Sequence, residues 1–322
     1  MIAPRTWLGP AVAGLFVTTA VLAFPAQAQT YPTGPVRIIS PLGAGGATDV
    51  ATRLIAEQLG RIWEQQVLVV NQPGAGGAIA ARAAATATPD GYTLFMAVAS
   101  TFTSLPVLEP KLPFNVNEYV PIGFAGEVPM AIAVNKDLPV NSLTDLIALS
   151  KRQPRGLDIA VGFRGSVPHQ TTELLRQRAG ANLTPVFYLS QPLAITDVVA
   201  GRVPIMIEGM AGTIINAPVK LLAIASREHL ASRADVPTVA ETLPGFAASG
   251  WFVLVAPPHT PAAIVEKVSR DLQTVLGRPD VRQRFTALNL QTRPLSLQAL
   301  ADFIRSEQQL WKPVIKEIAK AN

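Results

Sequence analysis

The sequence predicts an α/β protein of two lobes joined by a two-crossing hinge. Three observations carry this expectation. Short apolar strands alternate with helices along most of the chain, Gly-rich loops follow the first two strands, and the C-terminal stretch holds helices with too few strands for a sheet of their own. Such alternation points to mainly parallel sheets covered on both faces.

Taken in order, residues 36–40 read as a strand that runs into Pro41-Leu42-Gly43-Ala44-Gly45-Gly46. A helix over residues 48–63 follows, with Val50, Leu54, Ile55 and Leu59 at helical spacing. Residues 67–70 form the next strand, and Gln72-Pro73-Gly74-Ala75-Gly76-Gly77 leads into an Ala-rich helix ending near Thr88. After the turn Pro89-Asp90-Gly91, residues 92–99 form a third, nearly continuous apolar strand. In the middle region, strands are expected at 131–134, 158–163, 185–189, 203–207 and 221–225. Helices separate them at 142–151, where Ser142 is the N-cap, and at 168–179 and 192–201. A strand at 251–256 precedes helices at 261–276, 281–288 and 297–319. The last helix carries Leu300, Phe303, Ile304, Leu310, Trp311 and Ile315 as its apolar stripe.

These final helices are expected to pack on the first sheet. The first lobe then comprises residues 29–125 and 246–322, and the second lobe residues 126–245. A chain that leaves one lobe and returns crosses twice, and the cleft between the lobes is the default ligand site.

Arg5 is the only charge in the first 36 residues, an apolar run follows over residues 11–24, and Ala26-Gln27-Ala28 ends it. This is the pattern of a secretory signal peptide over residues 1–28, cleaved after Ala28. The run falls short of the roughly 20 apolar residues that span a bilayer. The expected compartment is the periplasm. Basic residues exceed acidic ones by 5 in the whole chain and are scattered, so nucleic acid is not an expected partner. Cysteine is absent, which excludes disulfides, thiolate metal sites and a thiol nucleophile. A chain of about 300 residues buries roughly three quarters of its unfolded surface and folds without disulfides.

The two Gly-rich loops are the strongest local signal. Each sits where a strand ends and a helix begins, and glycine permits close backbone approach. Helix N-termini offer unpaired N–H groups and a partial positive charge. The pair is read as an anion-binding edge rather than as two plain tight turns. A nucleotide reading fits poorly, because Thr48 and Ile79 stand where G-x-G-x-x-G needs its last glycine. Ser100 and Thr101 end the third strand on the same edge, where hydroxyls donate to a carboxylate or simply give loop polarity. In the second lobe, Gly162-Phe163-Arg164-Gly165-Ser166 ends a strand before a helix, which turns Ser166 toward the cleft. Glu208 ends the strand at 203–207 and either accepts from a ligand hydroxyl or amine or pairs with a neighbour.

No catalytic or metal site is expected. His169, His229 and His259 lack metal-ligand spacing, and Gly-x-Ser-x-Gly is absent. No cofactor is expected. The rival reading is an exported enzyme that uses Ser166 or Ser100 with His169. A third is a scaffold whose cleft takes no small molecule.

Tyr31-Pro32 with Pro35, and Pro41 with Gly45-Gly46 and Asp49, resemble the opening of the Bug receptors, the extracytoplasmic binding proteins of tripartite tricarboxylate transporters. The runs at 71–77, 89–94, 235–239 and 243–246, and Trp251-Phe252 before Ala256-Pro257, are similar too. The resemblance spans the mature chain. It implies a monomer with a type II periplasmic-binding-protein fold that closes on a carboxylate and serves transporter subunits or a sensor. Carried over by position, it implies ligand contacts at Gly45, Gly46, Gly76, Gly77, Ser100, Thr101, Gly165, Ser166, His169 and Glu208. Phe102 and Leu189 stand where the family often has polar residues, and Glu208 stands where Asp is common. Phe102 is therefore added to the contacts, and the expected ligand has one carboxylate and an apolar or aromatic body, rather than being citrate.

Overall fold

The computed structural model of the chain describes Met1 and residues 31–320, so the expected signal peptide falls outside the described residues. The first run is β1 (Val36–Ser40), α1 (Ala47–Trp63), β2 (Val67–Asn71), α2 (Ala78–Ala85) and β3 (Thr93–Val98), then the short helices α3 (Ala99–Thr103) and α4 (Leu105–Leu108). β4 (Val120–Val134) leads to α5 (Leu143–Arg152), β5 (Leu157–Val161), α6 (Val167–Ala179), β6 (Leu183–Phe187), α7 (Gln191–Val199), β7 (Ile205–Gly209) and β8 (Lys220–Ile224). The chain ends with α8 (Val239–Thr242), β9 (Ser249–Ala256), α9 (Ala262–Gly277), α10 (Pro279–Ala287) and α11 (Leu297–Lys320). No described helix is long and apolar enough to cross a membrane.

The strand order is β2-β1-β3-β9-β4-β7-β5-β6, with β8 also on β4. β1 is parallel to β2 and β3, and β5 is parallel to β6 and β7, as consecutive strand–helix units require. β9 and β4 run antiparallel to their neighbours, so the sheets are mixed rather than mainly parallel. These two strands carry the chain between lobes without a crossover helix to reverse it.

β4 belongs to both sheets. Residues 120–129 pair with β9, and residues 130–134 pair with β7 and β8. The changeover lies between Pro129 and Met130, and the return lies near Ala248, where three backbone bonds meet. Met130 N–H donates to Ala248 O, Ala248 N–H to Ala225 O, and Ala225 N–H to Met130 O, at 3.0, 2.9 and 2.7 Å. Sequence reasoning placed the crossings near residues 125 and 246 and recognised only residues 131–134 of this strand. The rest contains Pro121, Gly123, Gly126 and Pro129, which argue against a strand. Position explains the prolines: this half of β4 is the edge of its sheet, where a missing donor is tolerated. Irregular register between Pro121 and Gly123 and between Phe124 and Gly126 absorbs the rest.

The first core lies over the buried strands β3 and β9 and their neighbours, with α1 packed on β1, β2 and α9, α9 on β4, and α2 on β3. Trp63 Nε1 joins α1 to α9 by donating to Asp271 Oδ2 at 2.6 Å. Phe102 stacks on Trp251 at 6.0 Å, and Trp251 meets Phe303 edge-on at 5.1 Å, tying α3, β9 and α11 together. α11 packs on α3, α4 and β4 of the first lobe and also on α6 of the second. Its buried stripe is Leu300, Ile304, Trp311, Val314, Ile315 and Ile318, whereas Leu310, expected in it, is exposed.

Gly126 tests this packing. A Cβ there would meet the Phe252 ring at 2.8 Å and Gln291 O at 3.3 Å, and Phe252 is 1% exposed with no room to yield. Gly126→Ala is expected to lower stability by about 1–3 kcal/mol through overpacking. Gly277→Ala, where a Cβ meets nothing within 4 Å, is expected to leave it unchanged or raise it. Urea-unfolding midpoints of the two variants against wild type decide the matter.

Candidate functional site

Strand–helix units place helix starts at the carboxyl edge of a sheet, and here the starts from two sheets face one cavity. Its walls include Gly46, Ala47 and Thr48 of α1, Ala99 and Ser100 of α3, Ser166 and Val167 of α6, and Ser190 and Gln191 of α7. Its volume is about 100 Å³. Among the described residues no lysine, arginine or histidine lines it, and its carboxyl is that of Glu208.

The helix starts differ in how their N–H groups are satisfied. Ser166 caps α6, its Oγ accepting from His169 N–H at 3.4 Å, and Pro168 removes another donor. Gly46 caps α1 with no side chain at all. The first-turn N–H groups of a helix have no partner within it, so the 17-residue α1 presents uncapped donors to the cavity. Asp49 holds that end in place. Its Oδ2 accepts from Gly45 N–H and Arg53 Nε, both at 3.0 Å, and its Oδ1 from Asn71 Nδ2 at 2.9 Å. Asn71 Nδ2 also donates to Leu42 O at 2.9 Å, which fastens the Gly-rich loop to the end of β2. Burial pushes the Asp49 carboxyl up, but the bonds from Arg53, Gly45 and Asn71 outweigh it and hold the pKa below the usual value.

Of the residues expected at a ligand, Gly46, Ser100, Ser166 and Glu208 line the cavity. Gly45, Gly76 and Gly165 lie where the lobes meet. A Cβ on Gly45 would approach Pro192 at 3.1 Å, one on Gly76 would approach Arg164 O at 3.8 Å, and one on Gly165 would meet Leu108 at 2.5 Å. Gly43 belongs with them, since its Cβ would fall 2.8 Å from Ser190 Cβ and 2.9 Å from Leu189 O. Ser104 Oγ and Gln170 Nε2 both donate to Gly165 O at 2.7 Å, and Arg164 donates to Ile318 O of α11 at 2.7 Å. Gly77 is buried against Pro41 at φ +91°.

Three expected contacts point elsewhere. Thr101 Oγ1 accepts from Val98 N–H at 3.3 Å at the start of α3. Phe102 is two residues past Ser100 on that helix, so its ring turns away from the cavity onto Trp251 and Tyr119. The apolar character of the cavity therefore does not include Phe102. His169 Nδ1 accepts from Gly165 N–H at 3.0 Å, and its ring meets Phe187 edge-on. Burial, then Arg164 and Arg176, push the His169 pKa down to about 4, so the ring is a neutral brace for the loop.

Sequence reasoning did not single out Val128, Met130 or Trp251 as cavity walls. Val128 and Met130 lie on the unrecognised half of β4. Trp251 sits in a wholly apolar strand and reads as core. Its Nε1 donates to Glu307 Oε2 at 2.9 Å, which fixes the ring against the cavity. Leu189, noted as a departure from the family pattern, also lines the cavity with its neighbours Tyr188 and Ser190. Burial, then the bond its hydroxyl donates to Asp197 at 2.7 Å, push the Tyr188 pKa up to about 12.

Comparison with known proteins places this geometry. The family model described as the tripartite tricarboxylate transporter family receptor matches residues 51–320. Protein BugT of Bordetella pertussis is 35% identical over 313 residues, covering 95% of this chain and 96% of its own. Among solved structures, an R. palustris protein with adipate has a TM-score of 0.85 at 27% identity, covering 90% of this chain and 98% of its own. MatC from Rhodopseudomonas palustris with bound malate has a TM-score of 0.83 at 30% identity, covering 88% and 100%. The periplasmic binding protein BugD has a TM-score of 0.84 at 28% identity, covering 89% and 98%. The fold is the two-lobed α/β fold of the type II periplasmic binding proteins. With most of its length matched by the family model, this chain belongs to the tripartite tricarboxylate transporter family of receptors.

Proposed function

We propose that this receptor works in the periplasm, as a monomer, and captures a small carboxylate between its lobes for transporter subunits or a sensor protein. The observation that carries the reading is the uncapped start of α1, opening with three other helix starts into a cavity that no basic side chain lines among the described residues. Backbone N–H groups and helix dipoles suit a carboxylate there. The solved relatives that hold adipate and malate support the same ligand class. The apolar walls Leu42, Val98, Val128, Met130, Val161 and Trp251 suit a ligand with a carbon body between its polar ends.

The proposed contacts are Gly46, Ser100, Ser166 and Glu208, with Gly43, Gly45, Gly76 and Gly165 serving closure. Contacts made only in the closed form drive it, because equal affinity for two states shifts nothing. Ser104 and Arg164 supply such contacts from the protein side, as does Gln170 through Thr103 Oγ1 at 3.4 Å. An enzymatic reading has little to stand on. His169 Nδ1 is engaged by Gly165 N–H, and Ser166 Oγ is spent on the helix cap.

Thermal unfolding against a panel of carboxylates is the direct test. A ligand at a hundred times its Kd adds about 2.7 kcal/mol, which moves the midpoint by roughly 5–10 °C. Gly46→Asp is expected to abolish that shift. The new carboxylate caps α1 itself, with room for its Cβ and a change in stability of only a few tenths of a kcal/mol. A full shift in this variant would refute carboxylate binding at α1.

His169 gives a second check. Its folded pKa of about 4 lies below the unfolded value near 6.5, so the unfolded state binds the proton first. Stability is full above about pH 6.5 and falls as pH drops toward about 4, by at most roughly 3 kcal/mol. His169→Asn, which keeps an acceptor near the Nδ1 position, is expected to lose that slope in urea unfolding and to retain the ligand shift. Loss of a ligand-consuming activity in this variant would instead favour the enzyme.

A further inference from the structure

The cleft opposes an anion-seeking helix start with an acid, and among the described residues no basic side chain lines it to reconcile the two. Glu208 is the penultimate residue of β7, paired across the strand with Ala131 of β4. Its Oε1 accepts Gly209 N–H at 2.9 Å, and among the described residues it forms no ion pair. Gly209 in turn lies against the first residue of α1: a Cβ on it would sit 3.6 Å from Ala47 Cβ. Glu208 and the start of α1, through Gly46, Ala47 and Thr48, line the same cavity.

The titratable groups around the cavity are committed elsewhere. On α1, Asp49 is tied to Arg53, Gly45 and Asn71. On the loop before α7, the Tyr188 hydroxyl donates to Asp197. At the start of α6, His169 accepts from Gly165, and the Arg164 guanidinium donates to Ile318 O. None of them supplies Glu208 with a counter-charge.

We infer that Glu208 enters the closed cleft as a neutral acid and donates its proton in a hydrogen bond to the ligand carboxylate, so that capture takes up one proton above neutral pH. The inference rests on the carboxylate-receptor reading and deepens it. Two carboxylates in one enclosed site without a cation cannot both stay ionised, and they share a proton. The free protein already leans this way. Burial pushes the Glu208 pKa up to about 7, with only the Gly209 N–H opposing it. An anionic ligand beside it raises that value further. Affinity is then constant while Glu208 is protonated before binding, and falls with pH once the proton must come from solvent.

The experiment is a titration of the mature protein with malate, adipate and hexanoate between about pH 6 and pH 8.5, for wild type and Glu208→Gln. Wild-type affinity is expected to fall about tenfold per pH unit above about pH 7 for whichever acids bind. Glu208→Gln keeps a donor N–H in place of the acid O–H. Its affinity is expected to be flat across the range and to exceed wild type about tenfold or more at the alkaline end. A purely structural glutamate would not produce that crossing of profiles. Wild-type affinity independent of pH, a variant that tracks the wild-type profile, or a folded variant that fails to bind at any pH would overturn the inference and leave the receptor intact. No binding of any of these acids by wild type at any pH would overturn the receptor reading as well.

Discussion

β4 runs fifteen residues, its first ten paired with β9 and its last five with β7 and β8, so one strand is hydrogen-bonded into both lobes. Every other relation between the lobes follows from this. The return of the chain near Ala248 is bonded to Met130 and Ala225 beside the changeover, and α11 spans from α3 to α6. The lobes thus share a backbone axis, and their strand–helix units point helix starts at each other across it. Where they meet, glycines remove the side chains that would hold the two loop edges apart. Gly165 against Leu108 and Gly43 against Ser190 are the tightest of these approaches.

The same arrangement sets the electrostatics. A cavity made from helix starts carries partial positive charge, and among the described residues it has no basic side chain and the Glu208 carboxyl has no counter-ion. Asp49 shows the contrast. Also buried, it is surrounded by Arg53, Gly45 and Asn71 and stays ionised. Glu208, with one backbone donor, is pushed the other way. Two acids near one loop edge therefore do different work: one builds the anion site and the other faces it.

Much of this was legible in the sequence. Strands such as Val36–Ser40 and helices such as Leu143–Arg152, with Ser142 Oγ accepting from Asp145 N–H at 3.0 Å, follow from local patterning that tertiary packing does not override. The Gly-rich loops at 41–46 and 72–77 marked one wall of the cleft, although several of their glycines face the other lobe. What stayed hidden depends on long-range facts. Residues 120–129 form a strand only because an edge position tolerates Pro121 and Pro129. Phe102 and Ser100 are two residues apart on one short helix, and nothing local says which of them faces the ligand. His169 reads as a candidate base until Gly165 N–H is seen to occupy its Nδ1. Trp251 reads as core, and it is core, but one face of the ring is also a wall.

That double role of Trp251 has an optical consequence. The indole is 1% exposed, borders the cleft, stacks on Phe102 and donates to Glu307. Trp63 and Trp311 are both buried away from the cleft walls. Of the four tryptophans, Trp7 lies in the expected signal peptide, and a molecule entering the cleft of the mature protein changes the polarity beside Trp251 and leaves Trp63 and Trp311 unchanged. The intrinsic emission of the protein therefore carries a single-site occupancy signal, readable without a label or a coupled assay.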